Sequence, residues 1–197
     1  MTVVRYLTHP QVKIDPAVPV PRWGLSDVGR ARVEALAASG TWAATRHIIS
    51  SGETKAIETA EILAQALGVT IEVREVMHEN DRTSTGFLPP PAFEAMADRF
   101  FANPQLSIDG WERAIDAQIR IVAEVERVLA RTLTGDVLFV GHGAVGTLLL
   151  CHYDNLSISR VHDQPAGGGN YFGWDPQGRH VLHRWHPMEN YSSVLVN

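Results

Sequence analysis

Two periodicities alternate along the chain. Short apolar runs rich in β-formers fall at residues 2–7, 47–51, 69–73 and 136–141, the length and composition of buried strands. Between them lie stretches whose apolar residues recur every three or four positions, the helical period. The first covers 25–39, with Val28, Val33 and Leu36 on one stripe, Ser26 as N-cap and Gly40 as stop. Others are predicted over 54–67, 91–101, 109–133 and 143–151; the fourth carries Ile115, Ile119, Val122, Val125 and Leu129. Pro10, Pro16, Pro19 and Pro21 exclude regular structure before Trp23, and 81–91, ending in three prolines, reads as a loop. Segments 170–174 and 179–185 flank Asp-Pro-Gln-Gly and predict a terminal hairpin. This order predicts an α/β three-layer sandwich, a mostly parallel central sheet flanked by helices. The 197 residues fit a single domain.

Composition narrows the function classes. Lys plus Arg number 17 and Asp plus Glu 22, a net charge of −5, which lacks the basic footprint of a nucleic-acid binder. The start has no basic segment followed by an apolar one, so no secretory signal is read. The most apolar stretch, 137–151, falls short of a bilayer span and is interrupted by His142. No membrane partner is expected. The lone Cys151 excludes an intrachain disulfide and fits a reducing compartment, so a cytoplasmic protein is expected. There is no P-loop, no Gly-x-Ser-x-Gly and no Cys pair for zinc. In His180-x-x-His183-x-x-His186, strand alternation sends His180 and His186 to one side and His183 to the other. That predicts a surface strand; no metal or cofactor is expected.

In sheets of this kind ligands bind beyond the carboxyl ends of the strands. Two histidines fall there: His9 after the first strand and His142 within Val140-Gly141-His142-Gly143-Ala144. The glycines beside His142 allow close backbone approach to a ligand, and the following helix turns its N-terminus to the same place, which favours an anion. The loop 80–86 is polar, and Trp23 beside the proline-rich segment is a candidate for the mouth of a site.

The order of motifs resembles the histidine phosphatase (phosphoglycerate mutase-like) superfamily over nearly the whole chain. Thr8-His9-Pro10-Gln11 stands where that family has Arg-His-Gly-Glu/Gln, and Leu25-Ser26-Asp27-Val28-Gly29-Arg30-Ala31 matches its next helix start. Ser50-Ser51-Gly52-Glu53-Thr54-Lys55-Ala56 matches Ser-Ser-Pro-x-x-Arg-Ala, Met77-His78-Glu79 the acid-bearing segment, and Gly110-Trp111-Glu112 the start of a long helix. Val140 to Ala144 matches Val-x-His-Gly-Gly. The resemblance implies a phosphoglycerate mutase-like fold and metal-independent hydrolysis of a phosphomonoester. It gives His9 the nucleophile's role, through a phosphohistidine, and His142 that of the second histidine. Glu79 becomes the acid, with Asp81 as its rival. Thr8, Gln11, Lys55 and Gly143 fall in the phosphate pocket. The implied partner is a phosphorylated small molecule or other anionic ligand. The chain lacks the long insert of the glycolytic mutases.

It also departs from the pattern. Thr8 and Lys55 replace two pocket arginines, and Pro10 replaces a glycine. Lysine keeps a point charge without the planar fork, and threonine keeps only a hydroxyl. Two or three lost charge-assisted hydrogen bonds amount to about 3–9 kcal/mol, on the order of 10² to 10⁶ in rate. Arg22 or Arg82 is expected to compensate, because Arg5 faces away from Thr8 on its strand. The alternative is a weak or inactive member that binds an anion or serves as an interaction module. Substrate and oligomeric state are not legible.

Overall fold

The computed structural model describes residues 2–131 and 133–190. Its strands are β1 (Val4–Thr8), β2 (Thr45–Ser51), β3 (Ile71–Arg74), β4 (Asp136–Gly141), β5 (Asn170–Asp175) and β6 (His180–Pro187). They form one sheet in the order β3-β2-β4-β1-β5-β6. The first four are mutually parallel; β5 runs antiparallel to β1, and β6 antiparallel to β5. The helices are α1 (Asp27–Ser39), α2 (Thr54–Leu67), α3 (Pro90–Ala102), α4 (Ala114–Leu129) and α5 (Gly143–Tyr153).

Period-two alternation builds two cores, one on each face of the sheet. Leu7, Leu138 and Val140 meet Val33, Leu36, Ala60 and Leu63 of α1 and α2. Val4, Tyr6, Val137 and Phe139 face the other way, against Phe100, Ile121, Val125 and Leu148 of α3, α4 and α5. The expected three-layer architecture, a mostly parallel sheet flanked by helices, is the one observed. No helix among the described residues is long and apolar enough to cross a membrane.

Several local expectations need correction. The helix expected over 109–133 is α4 alone, because Asp109 (φ 49°) and Gly110 (φ 83°) are left-handed and cannot begin it. Ile119 points to solvent at 61% exposure, and the buried stripe is Ala114, Ala117, Ile121, Val125 and Val128. Val28 is likewise 62% exposed, and Gly29 takes its place beside Val33 and Leu36. The proline-rich segment is not wholly irregular; residues Val20–Arg22 form one 3-10 turn.

Ser26 caps α1, its hydroxyl accepting the Gly29 N–H at 3.1 Å, while Ser26 N–H donates to Gln11 O at 3.0 Å. A Cβ at Gly29 would meet that same Gln11 carbonyl at 2.2 Å. Glycine is there for close packing, and the loop after His9 is fixed by it. Gly29→Ala, which in an open helix gains up to about 1 kcal/mol, is expected here to destabilise by about 1–3 kcal/mol through overpacking. Urea unfolding checks the sign; a stabilised variant would show that α1 does not pack on the 11–12 segment.

Candidate active site

Parallel pairing of β1 with β4 sets Thr8 opposite Gly141, so both chains leave the sheet at one place. His9 N–H extends the ladder to Gly141 O at 3.0 Å. The His9 and His142 rings lie edge to face with centroids 5.3 Å apart. His9 Nδ1 sits 2.8 Å from the Pro10 carbonyl. A carbonyl can only accept, so Nδ1 carries the proton and Nε2 the lone pair. Burial, and then the Lys55 charge, bring His9 down to about 4 against the pull of that carbonyl. The imidazole is therefore neutral near pH 7.

His142 is fully buried, with Nε2 2.8 Å from Ser51 Oγ and 3.5 Å from Glu53 Oε1. Its Nδ1 has no hydrogen-bond partner among the described residues. Burial holds this ring well below its usual range, so it too is neutral. The Tyr6 hydroxyl fixes its backbone, accepting His142 N–H at 2.9 Å and lying 3.2 Å from His142 O. Gly141 is required by that phenol: a Cβ there would meet Tyr6 Oη at 2.2 Å. The space that glycine leaves at 141 is thus taken by the Tyr6 phenol and not held open for a ligand.

The Glu79 side chain reaches the N-terminus of α5 from the loop after β3. Its carboxylate accepts N–H groups of Asn80 (3.0 Å), Ala144 (3.2 Å) and Val145 (3.1 Å). The anion expected at this helix terminus is thus largely the protein's own carboxylate. Burial nevertheless raises Glu79 above the usual carboxylate range, with Arg82 opposing. Asp81 is exposed and differs: hydrogen bonds from Thr83 N–H and Oγ1 hold it down. Of the two carboxyls, Glu79 is the one that keeps its proton to higher pH.

Lys55 is 4% exposed, and its ammonium is spent locally, 2.5 Å from Glu53 Oε2 and 2.9 Å from Val20 O. Burial pushes Glu53 up, but the Lys55 ammonium, its hydrogen bond and that of the Glu79 N–H oppose this, and the carboxyl lies well below its usual range. Glu53 Oε1 also accepts the Glu79 N–H at 2.9 Å, tying the acid's backbone to this pair. Thr8 is fully buried and its hydroxyl contacts Gln164 Oε1 at 2.6 Å. Gly143 begins α5 directly after His142, and a Cβ on it would meet Gln164 Nε2 at 2.4 Å. Gln11 is turned away, its amide oxygen accepting from Arg32 at 2.9 Å. Arg5 pairs with Asp136 at 2.8 Å, as its strand position requires.

The two compensating arginines separate. Arg22 is exposed on the 3-10 turn. Arg82 lies with its guanidinium 4.9 Å from the Phe93 ring and 6.0 Å from Trp111, close enough to influence both histidines and Glu79. A cleft of about 770 Å³ opens beside these groups, bordered by Val20, Glu53, Glu79, Asp81, Arg82 and Phe87. Val20, Arg82 and Phe87 also border a smaller apolar recess with Trp23, Leu88 and Phe93. Trp23 packs on Phe87 at 5.6 Å, which puts it at the wall of that recess.

Sequence reasoning did not assign roles to Tyr6, Ser51, Glu53 or Gln164. Glu53 alone had a local signal, a carboxylate two residues before the lysine that replaces arginine. The histidine strand also needs correction. Shifts in the β5–β6 register override alternation, and His183 stacks on His186 at 4.7 Å beside Tyr171. No group of three metal-ligating side chains occurs among the described residues.

With this geometry in place, comparison with known proteins defines the class. The family model described as histidine phosphatase superfamily (branch 1) matches residues 19–185. The chain belongs to the histidine phosphatase superfamily. The match begins beyond His9, whose place rests on the fold. No curated protein sequence matches the chain. Among solved structures it is similar to YhfR of Bacillus stearothermophilus (21% identity, TM-score 0.77, covering 93% of this chain and 95% of that one). It is similar also to mycobacterial glucosyl-3-phosphoglycerate phosphatase with inorganic phosphate (19%, TM-score 0.74, 94% and 95%). A third is Entamoeba histolytica phosphoserine phosphatase with 3-phosphoglyceric acid (13%, TM-score 0.75, 94% and 98%).

Stability should follow the titration of these groups. His9, lowered from 6.5 to about 4, stabilises the neutral-pH fold, and that contribution is lost as pH falls through 6.5 toward 4. Glu53, lowered from 4.5 to about 2, contributes above 4.5 and loses its contribution as pH falls toward 2. Glu79, raised, acts in the opposite sense. The urea midpoint is expected to fall between pH 6.5 and 4, less steeply in His9→Phe; a flat profile would contradict the buried neutral imidazoles. Glu53→Gln strands Lys55 as a buried charge and should cost about 3–5 kcal/mol. The double variant Glu53→Gln/Lys55→Met should recover most of that loss in the same titration.

Proposed function

We propose that the chain hydrolyses a phosphomonoester through a phosphohistidine on His9. The observation that carries this reading is the His9 Nδ1 contact to Pro10 O at 2.8 Å, which leaves a lone pair on Nε2 beside His142. A neutral imidazole needs no deprotonation before it attacks phosphorus. The Nε2–phosphorus bond forms, the bond to the leaving oxygen breaks, and protonated Glu79 donates to that oxygen. Water then attacks phosphorus with the Glu79 carboxylate accepting its proton, the Nε2–phosphorus bond breaks, its electron pair returns to His9 Nε2, and inorganic phosphate departs. Superfamily membership and phosphatases of like fold support the reaction class. The roles of His9, Glu79 and His142, with Thr8, Gln11, Lys55, Arg22, Arg82 and Gly143 around the phosphate, belong to the proposal. The positions of Gln11 and Arg22 give those two the least support. The ligand is a phosphorylated small molecule whose leaving group takes the cleft beside Arg82 and Phe87. A cytoplasmic setting remains part of the proposal, on the strength of the lone Cys151.

One observation favours a second reading, a weak or inactive member that binds an anionic ligand. The only lysine in the pocket block is neutralised by Glu53 at 2.5 Å. Incubation with acetyl phosphate, acid-free quenching and peptide mass spectrometry separates the two. The enzyme reading expects one acid-labile phosphoryl group on the His9 peptide, absent in His9→Ala. Phosphate binding without any phosphoenzyme or turnover would select the second reading. Glu79→Gln is expected to slow alkyl phosphates by about 10²–10⁴ and aryl phosphates less, because a good leaving group needs less protonation. Equal losses on both substrates would remove Glu79 from the acid's role.

A further inference from the structure

We infer that Gln164 supplies, from its uncharged amide, the hydrogen-bond donor that holds a phosphoryl oxygen where the family pattern has an arginine at position 8. The inference rests on the phosphoryl-transfer reading of the site and adds a residue to it. The orientation of the Gln164 amide follows from its neighbours. Asn170 donates through Nδ2 to Pro165 O at 3.0 Å, which identifies that atom as the nitrogen. The same Nδ2 lies 3.1 Å from Gln164 Oε1, so Gln164 must present its oxygen there. The Thr8 hydroxyl accepts Asn170 N–H at 3.1 Å, and of the two acceptors within reach of its own proton, Gln164 Oε1 at 2.6 Å is much closer than Asn170 O at 3.2 Å. With the oxygen held from two sides, Nε2 can only face the opposite way.

That way lies Gly143, where a Cβ would sit 2.4 Å from Nε2. Glu79 takes the Ala144 and Val145 N–H groups, and His142 O takes that of Gly146. Among the described residues, the Gly143 N–H and Gln164 Nε2 are left as neighbouring donors one residue from His142. Thr8, one residue from His9, holds the amide in place. Two donors at the same helix start, beside two neutral imidazoles, suit an oxyanion. Thr8 at the arginine position is then no simple loss: a short hydroxyl is what lets the glutamine amide approach.

The test uses the full chain and two probes, inorganic phosphate and orthovanadate, titrated calorimetrically beside thermal unfolding. Gln164→Glu keeps an oxygen to accept from Thr8 and Asn170 but replaces the donor by an acceptor. It is expected to weaken both probes at least about tenfold, the loss of one charge-assisted hydrogen bond, with the unfolding midpoint unchanged. Lowering the pH toward 5 should return part of this loss relative to wild type at the same pH, as the new carboxyl regains a proton. A merely structural glutamine would give wild-type binding in Gln164→Glu and lower stability in Gln164→Ala, and that result would overturn the inference. Tight phosphate binding with no turnover would end the hydrolase reading and leave Gln164 as assigned. A wild-type chain that binds neither probe would end both.

Discussion

The site depends on one backbone constraint, the parallel pairing of β1 with β4. Thr8 opposite Gly141, extended by His9 N–H to Gly141 O at 3.0 Å, brings two histidines from opposite ends of the sequence to one edge. Tyr6, on the same strand as the nucleophile candidate, reaches across to hold the His142 backbone. Strand register therefore fixes the imidazoles before any side chain of the pocket is considered. Glycine at 141 is a consequence of this packing, since the phenol occupies the space of a Cβ.

Charge is the second organising feature. A phosphate pocket built on arginines is strongly positive, whereas here the buried charges cancel. Lys55 meets Glu53, Glu79 lies under the partial influence of Arg82, and both imidazoles are held neutral by burial. The donors that remain are amides and a helix N–H. Such groups stabilise charge through fixed dipoles in a water-poor site, and are worth most when they need not move. Thr8 and Asn170 provide that rigidity for Gln164. Lys55 meanwhile grips the Val20 carbonyl, so the residue at the second arginine position anchors the proline-rich segment that borders the cleft.

Much of the fold was legible because strand and helix periods are strong local signals. β4 and α2 fall where their apolar runs and glycine stops put them. Failures came where tertiary packing overrides period: Val28 and Ile119 face solvent, and a register shift turns His183 and His186 to one side. His9, Glu79 and His142, to which the proposal gives the catalytic roles, were singled out by strand ends and motif order. Gln164 was not, because its contacts with Thr8 and Gly143 join segments far apart in sequence and no local pattern marks it. Nor could the sequence choose between Arg22 and Arg82 as the compensating cation, because a loop position says nothing about where the side chain points; Arg22 lies exposed on the 3-10 turn and Arg82 lies over Phe93.

The most direct measurement is a crystal structure of the chain with orthovanadate. Vanadium is expected bonded to His9 Nε2, with one equatorial oxygen on Gln164 Nε2 and the Gly143 N–H, and Glu79 next to the apical oxygen opposite His9. Vanadate absent from His9, or held only by Arg82 in the outer cleft, would contradict this arrangement.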